Sequence, residues 1–105
     1  MVRGDVHEIT LPRRGGHVQH GRRFGVVVQA DDLLALSTVI VCPTSQSTPA
    51  ASFHPEVVVQ GERSRVMCEM VGAIDALALG EHAGHMSLEE MQRVDDALAL
   101  VLDLG

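Results

Sequence analysis

Apolar positions fall into short runs along most of the chain and into one long periodic stretch at its end. Residues 4–11, with Val6, Ile9 and Leu11 as apolar members and Pro12 as a stop, predict a first strand. Residues 24–29 predict a second. Residues 38–42 are continuous and β-branched, the pattern of a strand buried on both faces, and Pro43 is expected to end it. Residues 56–60 and 65–71 read as a hairpin turning at Gly61-Glu62-Arg63, and residues 81–86 as a final short strand. Asp31 is placed to cap a short helical turn, and residues 74–79 read as a helical turn or irregular crossing ending at Gly80. Ser87-Leu88-Glu89-Glu90 fits a capping box. Met91, Val94, Leu98, Val101 and Leu102 follow at helical spacing and predict an amphipathic helix ending near Gly105. A small SH3-like barrel with that helix attached fits this order.

A chain of 105 residues accommodates one domain with a modest core, expected to span 1–105. Aromatic residues make up only 2% against 46% apolar, so the core must be aliphatic. With no Trp or Tyr, an RNA base would be held by hydrogen bonds, arginine planes, Phe24 or Phe53, which excludes binding of the RRM type. The formal charge of −6 argues against general nucleic-acid affinity. Its distribution changes that picture. Residues 1–30 carry five arginines against Asp5 and Glu8, whereas residues 31–105 carry three arginines against twelve acids. The positive charge gathers in a glycine-rich loop, residues 13–21, that lacks the spacing of a dinucleotide or P-loop fingerprint. Cys42 and Cys68 sit in apolar runs and read as buried thiols of a reducing compartment. No signal peptide opens the chain and no apolar run approaches the ~20 residues of a membrane span, so a cytoplasmic location without a membrane partner is expected.

Two stretches carry candidate chemistry. Gly21-Arg22-Arg23 sits at the mouth of the second strand, where packing can hold an arginine while its guanidinium reaches a phosphate; the same pattern also suits a solvated edge. The third strand ends in Thr44-Ser45-Gln46-Ser47, hydroxyls and an amide that a neighbouring strand could bring beside that guanidinium. Metal binding is not expected. Asp31 and Asp32 are adjacent and point apart, and His82 and His85, three apart in a strand, should face opposite sides.

Val2-Arg3-Gly4-Asp5-Val6, Gly21-Arg22-Arg23 before Val26-Val27-Val28-Gln29, residues 37–41 with Pro43-Thr44-Ser45-Gln46-Ser47, Cys68-Glu69, Ile74-Asp75 and Gly84-His85-Met86-Ser87 together resemble the MazF/PemK family of toxin endoribonucleases over essentially the whole chain. The resemblance implies a mainly β, SH3-like small barrel of the MazF/CcdB plasmid-maintenance type, a homodimer and a cognate antitoxin. It also implies sequence-specific cleavage of single-stranded RNA without metal or cofactor, through 2′-hydroxyl attack that leaves a 2′,3′-cyclic phosphate and a 5′-hydroxyl. The family's catalytic arginine and threonine fall on Arg23 and Thr44. A guanidinium stays protonated, so Arg23 suits the charge of the phosphorane, while Thr44 could orient the 2′-hydroxyl or donate to a phosphate oxygen. Arg13, Arg14, Gln19, Arg22, Ser45, Gln46 and Ser47 are then the RNA-binding candidates, and His17 and His20 the candidates for proton transfer. The chain departs from the family pattern at Val18, Phe24, Met70, Gly72 and Ala78, and the lost cations imply fewer phosphate contacts. Two alternatives stay open: a decayed relative that only binds an antitoxin, and a CcdB-like gyrase poison. The poison's relatives use a C-terminal tail containing tryptophan, and this chain ends Leu102-Asp103-Leu104-Gly105.

Overall fold

Short aliphatic strands must bury their apolar face against another layer, which here is the C-terminal helix. The computed structural model describes residues 1–10 and 23–105. Its strands are β1 (Asp5–Ile9), β2 (Arg23–Val27), β3 (Thr38–Ser45), β4 (Glu56–Val59), β5 (Glu62–Val66), β6 (Gly72–Asp75) and β7 (Leu79–His85), followed by helix α1 (Leu88–Leu102). The sheet order is β4-β5-β3-β2-β1-β7, with β6 also on β3. Curvature comes from β3, which pairs with β2 along one edge and with β6 and then β5 along the other. On one face Val6, Val26, Cys42, Val57, Val66 and Cys68 pack against Met91, Val94 and Ala97 of α1. A smaller cluster of Ile9, Val27, Val39 and Val41 is separate from it. The outcome is the expected mainly β fold with a C-terminal helix, its sheet curled into a half-barrel.

Several boundaries differ from the sequence expectation. Pro43 does not end β3: it pairs with Gly25, and its carbonyl accepts the Met67 N–H at 2.8 Å. Its missing N–H falls where the ladder is already broken, between the last β6 pair, Val41↔Gly72, and the first β5 pair, Thr44↔Val66. Thr38 and Ile40 are exposed, so burial on both faces holds only from Val41 onward. The hairpin turns one step earlier, at Gln60 and Gly61 (φ 51° and 80°), the left-handed pair of a tight two-residue connection. Residues 65–71 are not one strand, because β5 ends at Val66 and Cys68–Met70 forms a 3-10 turn. A strand missed in the sequence, β6, follows and covers the start of the stretch expected to be a helical turn or irregular crossing; the helical turn is present as the 3-10 turn Ala76–Ala78, whose Leu77 N–H is bound by Asp75 Oδ1 at 2.8 Å. Gly80 is inside β7 rather than an end.

Asp31 does not cap. The turn Asp31–Leu33 starts from Ala30 without a side-chain bond, and Asp31 Oδ1 instead accepts the Arg3 N–H at 2.6 Å. The capping box of α1 is present: Ser87 Oγ accepts the Glu90 N–H at 3.1 Å and Glu90 Oε1 accepts the Ser87 N–H at 2.9 Å. Ala97 joins Met91 and Val94 as the buried face, whereas Leu102 is exposed. Cys42 and Cys68 are buried and free, and hydrogen bonding to Cys68 together with burial pushes the Cys42 thiol up. No described helix is long and apolar enough to cross a membrane.

Candidate functional site

A cleft of about 460 Å³ opens at one end of the barrel. Arg23 and Phe24 line it from β2, Thr44 and Ser45 from the end of β3, and Gln46 and Ser47 from just beyond. The opposite wall is the β4–β5 hairpin, through Val59, Gln60, Glu62 and Ser64. The antiparallel β2–β3 ladder therefore does what the two sequence stretches suggested, bringing a guanidinium beside a run of hydroxyls. Arg23 Nη1 donates to the Thr44 carbonyl at 3.2 Å, and Thr44 Oγ1 donates to the Phe24 carbonyl at 3.3 Å. These bonds cross-link the two strand mouths and fix both side chains. Ser45 Oγ accepts the Ser47 N–H at 3.2 Å and lies 3.3 Å from Ser47 Oγ, folding the chain back so that both hydroxyls reach the cleft.

Arg13, Arg14, His17, Val18, Gln19, His20 and Arg22 lie outside the described residues, as do Leu11 and Pro12. The hairpin wall escaped the sequence reading, in which Glu62 was only a turn residue. Glu62 Oε2 accepts a hydrogen bond from the Gln46 side-chain amide and brings a carboxylate into the cleft. Its signal was faint: the tight turn that aims it depends on a register visible only once β4 and β5 pair. Outside the cleft lining, buried His54 was also missed. Its ring lies 2.8 Å (Nδ1) from the Pro49 carbonyl and 2.7 Å (Nε2) from Glu69 Oε2. Burial pulls its pKa down, but Glu69 and Pro49 outweigh that and leave it above the ordinary histidine value.

A second polar cluster sits away from the cleft, where β1 meets β7. His82 Nε2 and His85 Nδ1 approach the same Asp5 Oδ1 at 3.3 and 2.9 Å, so the two histidines do not face opposite sides. The reason is an irregular register: Val6 pairs with Gly84 but His7 with His82, which slips one residue out of the alternation. The Val2 N–H and both histidines, outweighing burial, lower the Asp5 pKa to about 2. Among the described residues no set of three His, Cys, Asp or Glu side chains is placed to hold a metal ion.

The sequence profile of PemK-like, MazF-like toxins of type II toxin–antitoxin systems matches residues 2–102. The chain belongs to this family. A curated relative, the candidate toxin Rv3098A of Mycobacterium tuberculosis, is 31% identical over 106 residues, covering 99% of each protein. MazF of Deinococcus radiodurans superposes with a TM-score of 0.84 at 17% identity, over 99% of this chain and 97% of that one. An endoribonuclease of a mycobacterial species, solved with its cognate antitoxin, superposes with a TM-score of 0.83 at 16% identity, over 100% and 97%. At those identities the two structures share the PemK/MazF fold with this chain. Three of its departures from the PemK/MazF pattern, Met70, Gly72 and Ala78, lie outside the cleft lining, and only Phe24 among the described departures stands within it.

Proposed function

We propose that this chain is the RNA-cleaving toxin of a type II toxin–antitoxin pair, acting as a cytoplasmic homodimer on single-stranded RNA and restrained by its cognate antitoxin. The observation that carries this reading is the Arg23–Thr44 pair, joined through the Thr44 carbonyl at 3.2 Å in a cleft that Ser45, Gln46 and Ser47 line on the same side and the β4–β5 hairpin lines on the other. Arg23 meets the charge that develops on the phosphorane. The Thr44 hydroxyl spends its hydrogen on the Phe24 carbonyl, so its oxygen is left to accept, which favours orienting the ribose 2′-hydroxyl over donation to phosphate. Attack by that hydroxyl forms the O2′–P bond and breaks the P–O5′ bond; the 2′ proton passes to a base and the departing 5′-oxygen takes a proton from water, giving the 2′,3′-cyclic phosphate and a 5′-hydroxyl. Glu62, inside the cleft, joins His17 and His20 as groups able to take the proton. Ser45, Gln46 and Ser47 supply donors for neighbouring phosphates and base edges.

Mapping the ends left on an RNA ladder tests the reaction, with a 5′-hydroxyl and a cyclic phosphate expected. Arg23→Ala should lower the rate by about 10² to 10³ while leaving the melting temperature within a few degrees, by analogy with removal of one oxyanion donor. An unchanged rate would remove Arg23 from the mechanism. Because the nucleophile belongs to the substrate and the charge meets a guanidinium, cleavage should persist in EDTA; a strict magnesium requirement would overturn this scheme. A second reading, antitoxin binding without cleavage, is favoured by the Glu62 carboxylate, which opposes phosphate in the cleft. It would stand if no RNA were cut at any protein concentration while antitoxin still bound.

A further inference from the structure

His54 is 7% exposed, lines no part of the cleft, and has an oxygen acceptor at each ring nitrogen. A backbone carbonyl and an ionised carboxylate cannot donate, so both contacts are hydrogen bonds only when both ring nitrogens carry protons. A neutral ring would set a nitrogen lone pair against an oxygen lone pair in the interior. We infer that His54 is held as an imidazolium and that in this state it clamps residues 46–53, the segment carrying Gln46 and Ser47, onto the Cys68–Met70 turn. It is a positioning residue for RNA, and that role rests on the function proposed above.

Other bonds fasten the same segment. Arg65 Nη1 donates to the Thr48 carbonyl at 3.0 Å, the Cys68 N–H to the Phe53 carbonyl at 3.3 Å, and the His54 N–H to the Ala51 carbonyl at 3.0 Å. None of these groups changes charge near neutral pH, whereas the imidazolium does. The charged groups facing it are Glu69 from the turn, which favours the proton, and Arg65 from β5, which opposes it. Raising pH through the elevated His54 pKa therefore removes one fastening and leaves the rest, loosening the segment without unfolding the barrel.

The test is an NMR titration of the whole protein, following the His54 ring nitrogens with the Gln46 and Ser47 amides. The expected result is a doubly protonated ring at neutral pH, with both amides moving at the ring's own midpoint. Glu69→Gln keeps an acceptor but removes the charge, and its exposed position spares the fold. The ring and amide midpoints should fall together by about one pH unit. The KM for mixed-sequence single-stranded RNA should rise about tenfold above the midpoint with kcat nearly unchanged, as for misplaced contacts. His54→Gln should abolish that pH step. A singly protonated ring at neutral pH, or amides that ignore the ring's titration, would overturn the clamp. Because the NMR arm needs no RNA, it still judges the clamp if cleavage itself is never seen.

Discussion

Asp5 shows how much one side chain can hold when its partners converge. It is 8% exposed, yet Oδ2 accepts the Val2 N–H at 2.8 Å while Oδ1 faces His82 and His85, so the ionised form is favoured in spite of burial. With its folded pKa at about 2, below the ordinary carboxylate value, Asp5 contributes stability above the unfolded pKa and loses it as pH falls through the folded one. Asp5→Asn should cost about 2 kcal/mol at neutral pH and flatten the stability profile between about pH 4 and 2. Urea melts at several pH values would check this, and parallel profiles for the two proteins would refute it. In the cleft, Glu62→Gln distinguishes proton transfer from structure. If Glu62 takes the proton, the rate should fall about 10²-fold or more with RNA binding kept; tighter binding at an unchanged rate would leave only His17 and His20.

At the scale of elements, α1 is tied to the sheet by its first turn as well as its apolar face. Glu90 Oε1 completes the capping box while Oε2 accepts the Val58 N–H of β4 at 2.9 Å. Burial disfavours this carboxylate, but the Ser87 and Val58 N–H groups outweigh it and hold its pKa low. Ser87→Ala should therefore cost about 1 kcal/mol, the ordinary loss of a cap. Glu90→Ala removes two acceptor contacts and should cost more, about 2 kcal/mol, with the β4 amides exchanging faster. Equal losses in chemical denaturation would mean that the link to β4 carries no weight. This tie matters for the cleft, because β4 continues directly into the turn that aims Glu62.

For the whole molecule, the governing property is uneven charge. A chain of net −6 keeps five of its eight cations within residues 1–30 and gathers Arg23 with the polar end of β3. Under the proposed function, RNA held there would depend on screened phosphate contacts, whereas a disordered antitoxin segment would supply both carboxylates and apolar anchors. Raising salt should therefore weaken RNA binding more steeply than antitoxin binding, and the two should compete. Titrating an RNA that lacks the scissile 2′-hydroxyl into toxin and into complex, at two salt concentrations, measures both effects. Equal binding to the two forms would show that inhibition acts away from the cleft.

Much of this organisation was legible in the residues. The strands β1 to β3, the existence of the β4–β5 hairpin and the capped helix rest on local alternation, turn chemistry and the Ser87–Glu90 box, which need only near neighbours to act. The family, and with it the expectation that Arg23 and Thr44 meet, was also carried by ordered short motifs. Other features depended on distant partners. Pro43 could remain in β3 only because the ladder breaks beside it, and β6, with few large apolar residues, exists because β3 offers it an edge. His82 and His85 share Asp5 through a register slip that alternation alone forbids. Glu62 enters the cleft and His54 finds two acceptors only after the hairpin and the Cys68–Met70 turn are in place. Local sequence determines where most short elements form, but the company a polar group keeps is decided by long-range strand pairing, and only the assembled sheet supplies it.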